Sequence, residues 1–263
     1  MHKTFFYLFF IVLCIFCLNN LFCSDLSSVD SKLQKQLSIV FTTPPSSLHP
    51  HNATFVQETQ ILSSTYEGLF SYSPVDLTAQ NALIQDYKVS RNKLTWTFYI
   101  KPTAKFSDGT EITSEDIKKS WLDLLNPQQI NPFASFLDCI EGVQEYRENK
   151  LDISKVAILT PEKNKLVLRL KSPTSHLPQI LCHHAFSVIK ENTFSGAYII
   201  KEHNKNFTLL EKNPHYWDNK NVAIPSIMIK YNSNTEQNTF EFNCGKVQWI
   251  DGSVEIDKIL DKN

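Results

Sequence analysis

Glycine is scarce in this chain: six residues in 263, beside twelve prolines and eighteen phenylalanines. No Gly-rich phosphate loop can be traced through those six, which removes nucleotide sites of that kind. The balance implies a rigid, aromatic-rich body containing β-structure. An excess of charge of one sign is also lacking. The formal net charge is −1, so nothing in it predicts attraction to nucleic acid or to an anionic membrane surface. There is no internal repeat and no low-complexity block. Hydrophobic residues at 42% and charged residues at 20% are those of a folded globular protein. The length allows one large domain or two small ones around a sizeable core.

Long apolar runs are missing except at the start. Phe5 to Leu18 is apolar for about 14 residues, short of the roughly 20 that a membrane span needs. Lys3 before it and Asn19-Asn20 after it give the layout of a secretory signal peptide over residues 1–24. Phe22 is bulky for a cut near Ser24. Cys23 offers a lipid-modified N-terminus instead, and an uncleaved anchor is the third reading. Each of them exports the body, to the periplasm or the cell envelope. Residues 25–37 are polar and read as a flexible tether. Of the six cysteines, Cys14, Cys17 and Cys23 lie in or beside the signal, which leaves Cys139, Cys182 and Cys244. One disulfide plus a thiol, or three thiols, both fit an oxidising compartment, and the spacings fit no zinc framework.

The stretch from Lys93 to Trp121 carries the strongest local pattern. Leu94, Trp96, Phe98 and Ile100 alternate with Thr95, Thr97 and Tyr99, the period of a strand with one buried face. Pro102 stops it, and Ser107-Asp108-Gly109 supplies a turn with glycine free to take positive φ. Thr113 and Asp116 have the spacing of a helix N-cap, and Ile117, Trp121, Leu124 and Leu125 follow at helical spacing up to Asn126-Pro127.

The remaining elements are shorter. Leu37 to Thr43 reads as a strand broken by Pro44-Pro45, and Gln57 to Leu69 as a helix closed near Gly68. Phe70 to Tyr72 starts a strand. After a loop, residues 132–136 lead to a short helix through Tyr146. Val156 to Leu159 and Leu166 to Leu170 alternate around the turn Glu162-Lys163-Asn164. A helix near Leu177 to Leu181 precedes a strand over Ala185 to Ile189. Tyr198 to Lys201 and Phe207 to Glu211 pair as a hairpin, then come an aromatic turn over Asn213 to Asp218 and a strand at Ile227 to Tyr231. One sheet is expected to gather residues 38–43, 166–170, 198–201 and 207–211. Phe240, Val247, Trp249 and Ile250 complete the apolar pattern.

Chemistry-bearing residues are few. Cys182-His183-His184, with His176 upstream, is the one cluster that suggests a metal or a thiol nucleophile. A nucleophilic cysteine needs a base and a lowered pKa. Neighbours on an extended segment face opposite ways, so His183 and His184 do not converge on one ion. His49 and His51 flank Pro50 in a loop. Ser195-Gly196 lacks the surround of a nucleophile elbow. Glu115 and Asp116 sit where acidic groups favour a helix N-terminus rather than as an acid–base pair. Tyr216-Trp217, Trp96, Trp121 and Trp249 read as core. The expectation is no enzyme, no catalytic residue, no metal and no cofactor.

Taken in order, several segments resemble the oligopeptide-binding proteins of bacterial ABC importers, the family 5 extracellular solute-binding proteins. Ser47-Leu48-His49-Pro50 is similar to the family's S-L-D-P, with His49 in place of Asp, and Tyr66-Glu67-Gly68-Leu69 to its helix ending in E-G-L. Trp96-Thr97-Phe98, Lys105 to Thr110 (K-F-S-D-G-T) and Thr113 to Asp116 (T-S-E-D) resemble its most characteristic block. Ser195 to Tyr198 resembles N-G-A-Y, Glu211 to Trp217 resembles E-R-N-P-x-Y-W, and Gly245 to Trp249 stands where the family has G-E-I-D.

The resemblance implies a mixed α/β (α+β) fold: a type II periplasmic-binding-protein-like first lobe with an inserted β-rich subdomain, the second lobe missing. It implies a first lobe at 38–56 and 161–263 and a subdomain at 57–160. The family's acidic anchor for a peptide's amino terminus would fall in the missing lobe, and residues 189–194 look shortened. The function implied is binding of short peptides for import, with a membrane permease as partner, a separate chain supplying the second lobe, and no nucleic acid. By resemblance, Ala53, Thr54, Phe55 and Val56 lay main-chain bonds along a peptide as in strand addition, and Phe133 and Phe136 line the cleft. The alternative is an exported relic or interaction module of the same fold; a nickel, haem or other solute binder is a further reading.

Overall fold

The computed structural model describes residues 36–260. The expected signal peptide, Cys23, and the tether up to residue 35 lie outside the described residues. Gln36 and Leu37 belong to a strand rather than to a tether. In chain order the strands are β1 (Gln36–Phe41), β2 (Phe70–Tyr72), β3 (Ala79–Asn81), β4 (Ile84–Val89), β5 (Thr95–Ile100), β6 (Ile158–Glu162), β7 (Lys165–Arg169), β8 (Tyr198–His203), β9 (Phe207–Lys212), β10 (Ser226–Tyr231) and β11 (Trp249–Ile250). The α-helices are α1 (Val56–Thr65), α2 (Ser114–Leu124), α3 (Val143–Arg147), α4 (Leu177–Ile180) and α5 (Thr235–Asn243), joined by short 3₁₀ turns.

The chain divides into two compact units, one of them Pro44–Ala223 and the other the residues up to Thr43 with those from Ile224 onward. In the smaller unit β1 runs parallel to β10 on one side and to β11 on the other. Thr42 ties β1 to the loop after β11: its N–H and Oγ–H donate to the Asp251 carboxylate at 2.8 and 2.7 Å. Trp249, read as core, is 41% exposed, its ring edge-on to Phe41 at 5.8 Å, and Phe240 on α5 is exposed as well.

The larger unit is built on the Lys93–Trp121 stretch. On β5, Trp96, Phe98 and Ile100 are buried while Thr95, Thr97 and Tyr99 are half-buried, as the alternation predicts. Gly109 takes φ +84° in the turn. Thr113 caps α2: its Oγ accepts from the Asp116 N–H at 3.3 Å, and the Asp116 carboxylate accepts the Thr113 N–H at 2.8 Å. That fixes where α2 begins, so Ile117, Trp121 and Leu124 fall on the face that joins the core containing Trp96 and Phe98. Gly196 lies where a Cβ would come within 2.6 Å of the Thr65 main chain, so the end of α1 and the start of β8 meet backbone to backbone.

Three expectations are corrected. β7 does not join β1; it pairs antiparallel with β5 and β6 in a four-stranded sheet ordered β4-β5-β7-β6, which runs through the expected boundary at 160/161. The tight Lys163-Asn164 turn makes β6–β7 a hairpin, and the alternation of Leu166 and Leu168 names a buried face but no partner. Ala185 to Ile189 is not a strand. Residues 184–186 form a 3₁₀ turn, and the main chain beyond is pinned singly: Val188 N–H donates to Glu67 O at 3.0 Å and Ile189 N–H to Ser120 Oγ at 2.9 Å. Finally, α1 ends at Thr65 in an extended Tyr66, and Gly68 serves close packing under Leu181 rather than a cap. The helix near Leu177 and the Tyr198–Glu211 hairpin stand as read, the hairpin pairing Tyr198 with Lys212.

The two core tryptophans differ in a testable way. Trp121 Nε1–H donates to Phe186 O at 2.9 Å, whereas Trp96 Nε1 is buried with no partner. Trp121→Phe orphans a buried carbonyl; Trp96→Phe removes an orphan. Denaturant unfolding should therefore show Trp121→Phe costing about 1–2 kcal/mol more than Trp96→Phe. Equal or reversed costs would break this account of the α2 contact.

Candidate functional site

The residues singled out by resemblance lie around the loop from Ser46 to Phe55. One carboxylate shapes that loop. Glu58 Oε1 accepts from Ser46 N–H at 2.8 Å, Ser46 Oγ–H at 2.6 Å and Ser47 N–H at 2.9 Å, while Oε2 accepts from Thr54 N–H at 2.9 Å and Phe55 N–H at 3.1 Å. Phe55, the N-cap of α1, has no side-chain oxygen, so Glu58 reaches back from the third helical position to do the capping. Burial pushes the Glu58 carboxyl up, but these hydrogen bonds outweigh it and bring it down to about 2.

Those bonds change what the loop can offer. The N–H groups of Ala53, Thr54 and Phe55 are all donated inside the chain, Ala53 N–H to His49 O at 3.2 Å. Phe55 O accepts from Thr59 N–H at 3.0 Å. Little main chain is left for strand addition along Ala53 to Val56, in contrast to the sequence expectation. Side chains face outward instead: Phe55 is 62% exposed, Val56 69% and Phe136 51%, while Ala53 is fully buried.

Four histidines meet beside this loop. His184 Nε2 lies 3.2 Å from Ala53 O; a carbonyl only accepts, so that nitrogen carries the proton. The His183 and His184 rings are 4.2 Å apart, and Phe133 is 4.4 Å from His183 and 5.5 Å from His184. Phe136 lies 6.3 Å from Phe133. His51 is buried, its ring edge-on to His49 at 5.0 Å. The structure thus brings Ala53, Phe133 and Phe136 together through His183 and His184, from segments about 80 and 130 positions distant along the chain from Ala53. Burial, then the neighbouring His49 and His184, push His51 down to about 4; burial, then His184, bring His183 to about 4. The cluster is neutral and apolar in character at pH 7.

A second carboxylate organises the ground behind it. Glu67 accepts from Tyr216 OH at 2.7 Å and Trp217 Nε1–H at 2.5 Å. Lys101 Nζ stands 3.0 Å from the centre of the Trp217 ring and donates to Ala82 O. Burial pushes the Glu67 carboxyl up to about 7, against the pull of those two donors and of Lys101. Sequence reading missed the roles of Glu58, Glu67 and Lys101. Glu58 had one local signal, its place three residues after the N-cap; the Glu67 contacts span some 150 residues and had none.

Acid stability follows from two of these groups. Folded His51 resists protonation down to about 4 while its ordinary value is 6.5, so its contribution is present above 6.5 and lost as pH falls towards 4. Glu58 contributes above its ordinary 4.5, and that is lost as pH falls towards about 2. Glu58→Gln should cost about 3 kcal/mol in unfolding at pH 7, because it turns a donor towards buried donors. The difference from the unsubstituted protein should shrink between pH 4.5 and pH 2. A cost within about 0.5 kcal/mol at pH 7 would overturn this role for the carboxylate.

Residues 78–262 match the family described as Bacterial extracellular solute-binding proteins, family 5 Middle. The oligopeptide-binding protein OppA of Bacillus subtilis is 26% identical over 238 residues, covering 84% of this chain and 43% of OppA. The periplasmic murein peptide-binding protein MppA of Escherichia coli is 28% identical over 200 residues, covering 70% of this chain and 37% of MppA. In fold, the Borrelia burgdorferi periplasmic oligopeptide-binding protein OppAIV aligns with TM-score 0.80 at 22% identity over 84% of this chain and 48% of its own. The E. coli murein tripeptide-binding protein MppA aligns with TM-score 0.75 at 24% identity over 81% and 45%. The chain spans less than half the length of each of these relatives. With the family match running over most of its length, the chain belongs to the family 5 bacterial extracellular solute-binding proteins.

Proposed function

We propose that this protein is an extracytoplasmic solute-binding component of a peptide ABC importer, and that short peptides lie against Thr54, Phe55, Val56, Phe133 and Phe136, with the buried Ala53 supporting that face from behind. The observation that carries this is the set of exposed apolar side chains, Phe55, Val56 and Phe136, beside the neutral imidazole–phenyl cluster. Such a surface favours apolar and aromatic peptide side chains, because most nearby N–H groups are already used. The named relatives bind oligopeptides and murein peptides, and two of them are periplasmic by name, which supports the same ligand class and an exported location here. The partners on this reading are a membrane permease and a second chain that completes the enclosure of the peptide. The reading needs no cofactor. It also makes the protein a binder and not an enzyme: burial pushes the Cys182 thiol up to about 11, the opposite of what a nucleophile requires.

A second reading is favoured by one observation, that the N–H groups of Ala53, Thr54 and Phe55 are already donated inside the chain. On that reading the chain is an exported interaction module that kept the fold without peptide capture.

Calorimetry with pools of short peptides separates the two. Micromolar binding, about −8 kcal/mol, weakened roughly tenfold by Phe136→Ala, is the expected result. No heat from a folded chain with any pool would overturn peptide binding and leave the interaction module.

A further inference from the structure

Two segments that close on each other within the larger unit carry four imidazoles. His49 and His51 sit in the loop from Ser46 to Phe55, and His183 and His184 follow Leu181. The rings meet in pairs, His49 with His51 at 5.0 Å and His183 with His184 at 4.2 Å. His184 Nε2–H donates to Ala53 O at 3.2 Å, which joins the two segments. A positive charge on His49 or His184 opposes one on His51.

Each ring uses its nitrogens in a way that suits the neutral form alone. His49 Nδ1 accepts the His51 N–H at 3.3 Å, and His183 Nδ1 accepts the Ala185 N–H at 3.2 Å, capping the 3₁₀ turn over residues 184–186. An imidazolium has two N–H donors and no acceptor, so protonation breaks one main-chain bond in each segment. In the other two rings, His51 Nε2 and His184 Nδ1 are buried without a partner. The cation must aim an N–H there, with nothing to receive it.

We propose that these four histidines are an acid-sensitive clamp, which holds the Ser46–Phe55 loop on the His183–Phe186 segment at neutral pH and releases it when the imidazoles are protonated. The facing groups do not prevent this. Glu58 of α1 favours the cation at His184 and Asp123 of α2 favours it at His49, but burial outweighs both and keeps the two rings below their ordinary value. Phe133 and Phe136 bring no charge, and burial holds Cys182 as a thiol. Glu67, which lines a cleft with His184, is committed to Tyr216 and Trp217; burial lifts its carboxyl to about 7, so falling pH favours its folded form and does not drive release. For His51 and His183, burial first and neighbouring imidazoles second bring the folded value to about 4, against an ordinary 6.5. The released form therefore takes the proton first: the clamp is fully favoured above 6.5 and is lost as pH falls towards 4. Glu58 acts lower, between 4.5 and about 2. One consequence rests on the peptide-binding role: the face shared by Phe55 and Phe133 comes apart, and peptide affinity falls in the same window as the clamp.

The test is NMR hydrogen exchange on the purified chain between about pH 7 and pH 4.5, corrected for the intrinsic pH dependence of exchange. It uses no peptide, so failure of the peptide-binding role leaves it intact. The opening constants at the His51 and Ala185 amides should rise at least about thirtyfold over that range, while those of the β5 amides stay unchanged. His183→Asn keeps a side-chain oxygen for the Ala185 N–H without titrating, and should cut the rise at Ala185 at least about fivefold. Ring NMR of the unsubstituted chain gives a second readout, with His51 and His183 titrating well below 6.5. Opening constants that stay flat, that rise in step with β5, or that rise undiminished in His183→Asn overturn the clamp. Titration of both rings at their ordinary 6.5 overturns it as well.

Discussion

The carboxylate of Glu58 is the interaction on which the candidate site depends. The loop from Ser46 to Phe55 holds Pro50, a buried His51 and main-chain donors that no strand or helix satisfies. A loop of that kind is costly to bury unless its N–H groups find acceptors. Glu58 supplies acceptors to four residues at once, Ser46, Ser47, Thr54 and Phe55, and begins α1 in the same act. The outward display of Phe55 and Val56 follows, because their side chains leave a backbone whose direction is already set.

A second constraint fixes the opposite wall. The segment from Leu181 to Ile189 carries both His183 and His184 yet has no regular partner strand. It is held by α2, where Trp121 donates to Phe186 O at 2.9 Å and Ser120 Oγ receives the Ile189 N–H, and by Glu67 O, which receives the Val188 N–H. Glu67 is itself anchored through its side chain by Tyr216 and Trp217. Helix α2 therefore works at two levels. Its apolar face builds the core, and its polar atoms place the imidazoles. Burial keeps both imidazoles neutral, with the neighbouring His184 adding to it at His183, so the face they support is apolar at neutral pH.

The His183 and His184 rings lie 4.2 Å apart and both reach Phe133, and His184 with Cys182 also lines the cleft beside Glu67. Ala53 O accepts the His184 Nε2–H and so ties the loop to that ring.

The sequence by itself determined the elements whose signals are local. The alternation at Trp96, Phe98 and Ile100, the Thr113–Asp116 cap, the Gly109 turn and the Tyr198–Glu211 hairpin are each decided within a few residues, and the ordered motifs led to the family. Tertiary structure decided partners. Strand β7 chose β5 and β6 over β1, residues 185–189 gave up a strand to be pinned by Ser120 and Glu67, and Trp249 stayed partly in water. Alternation reports which face of a segment is apolar, but not which other segment covers it. The candidate site is the same case on a finer scale. His51, Phe133 and the pair His183-His184 stand far apart in the chain, and they acquire a common chemistry because Glu58 and α2 bring their segments into contact.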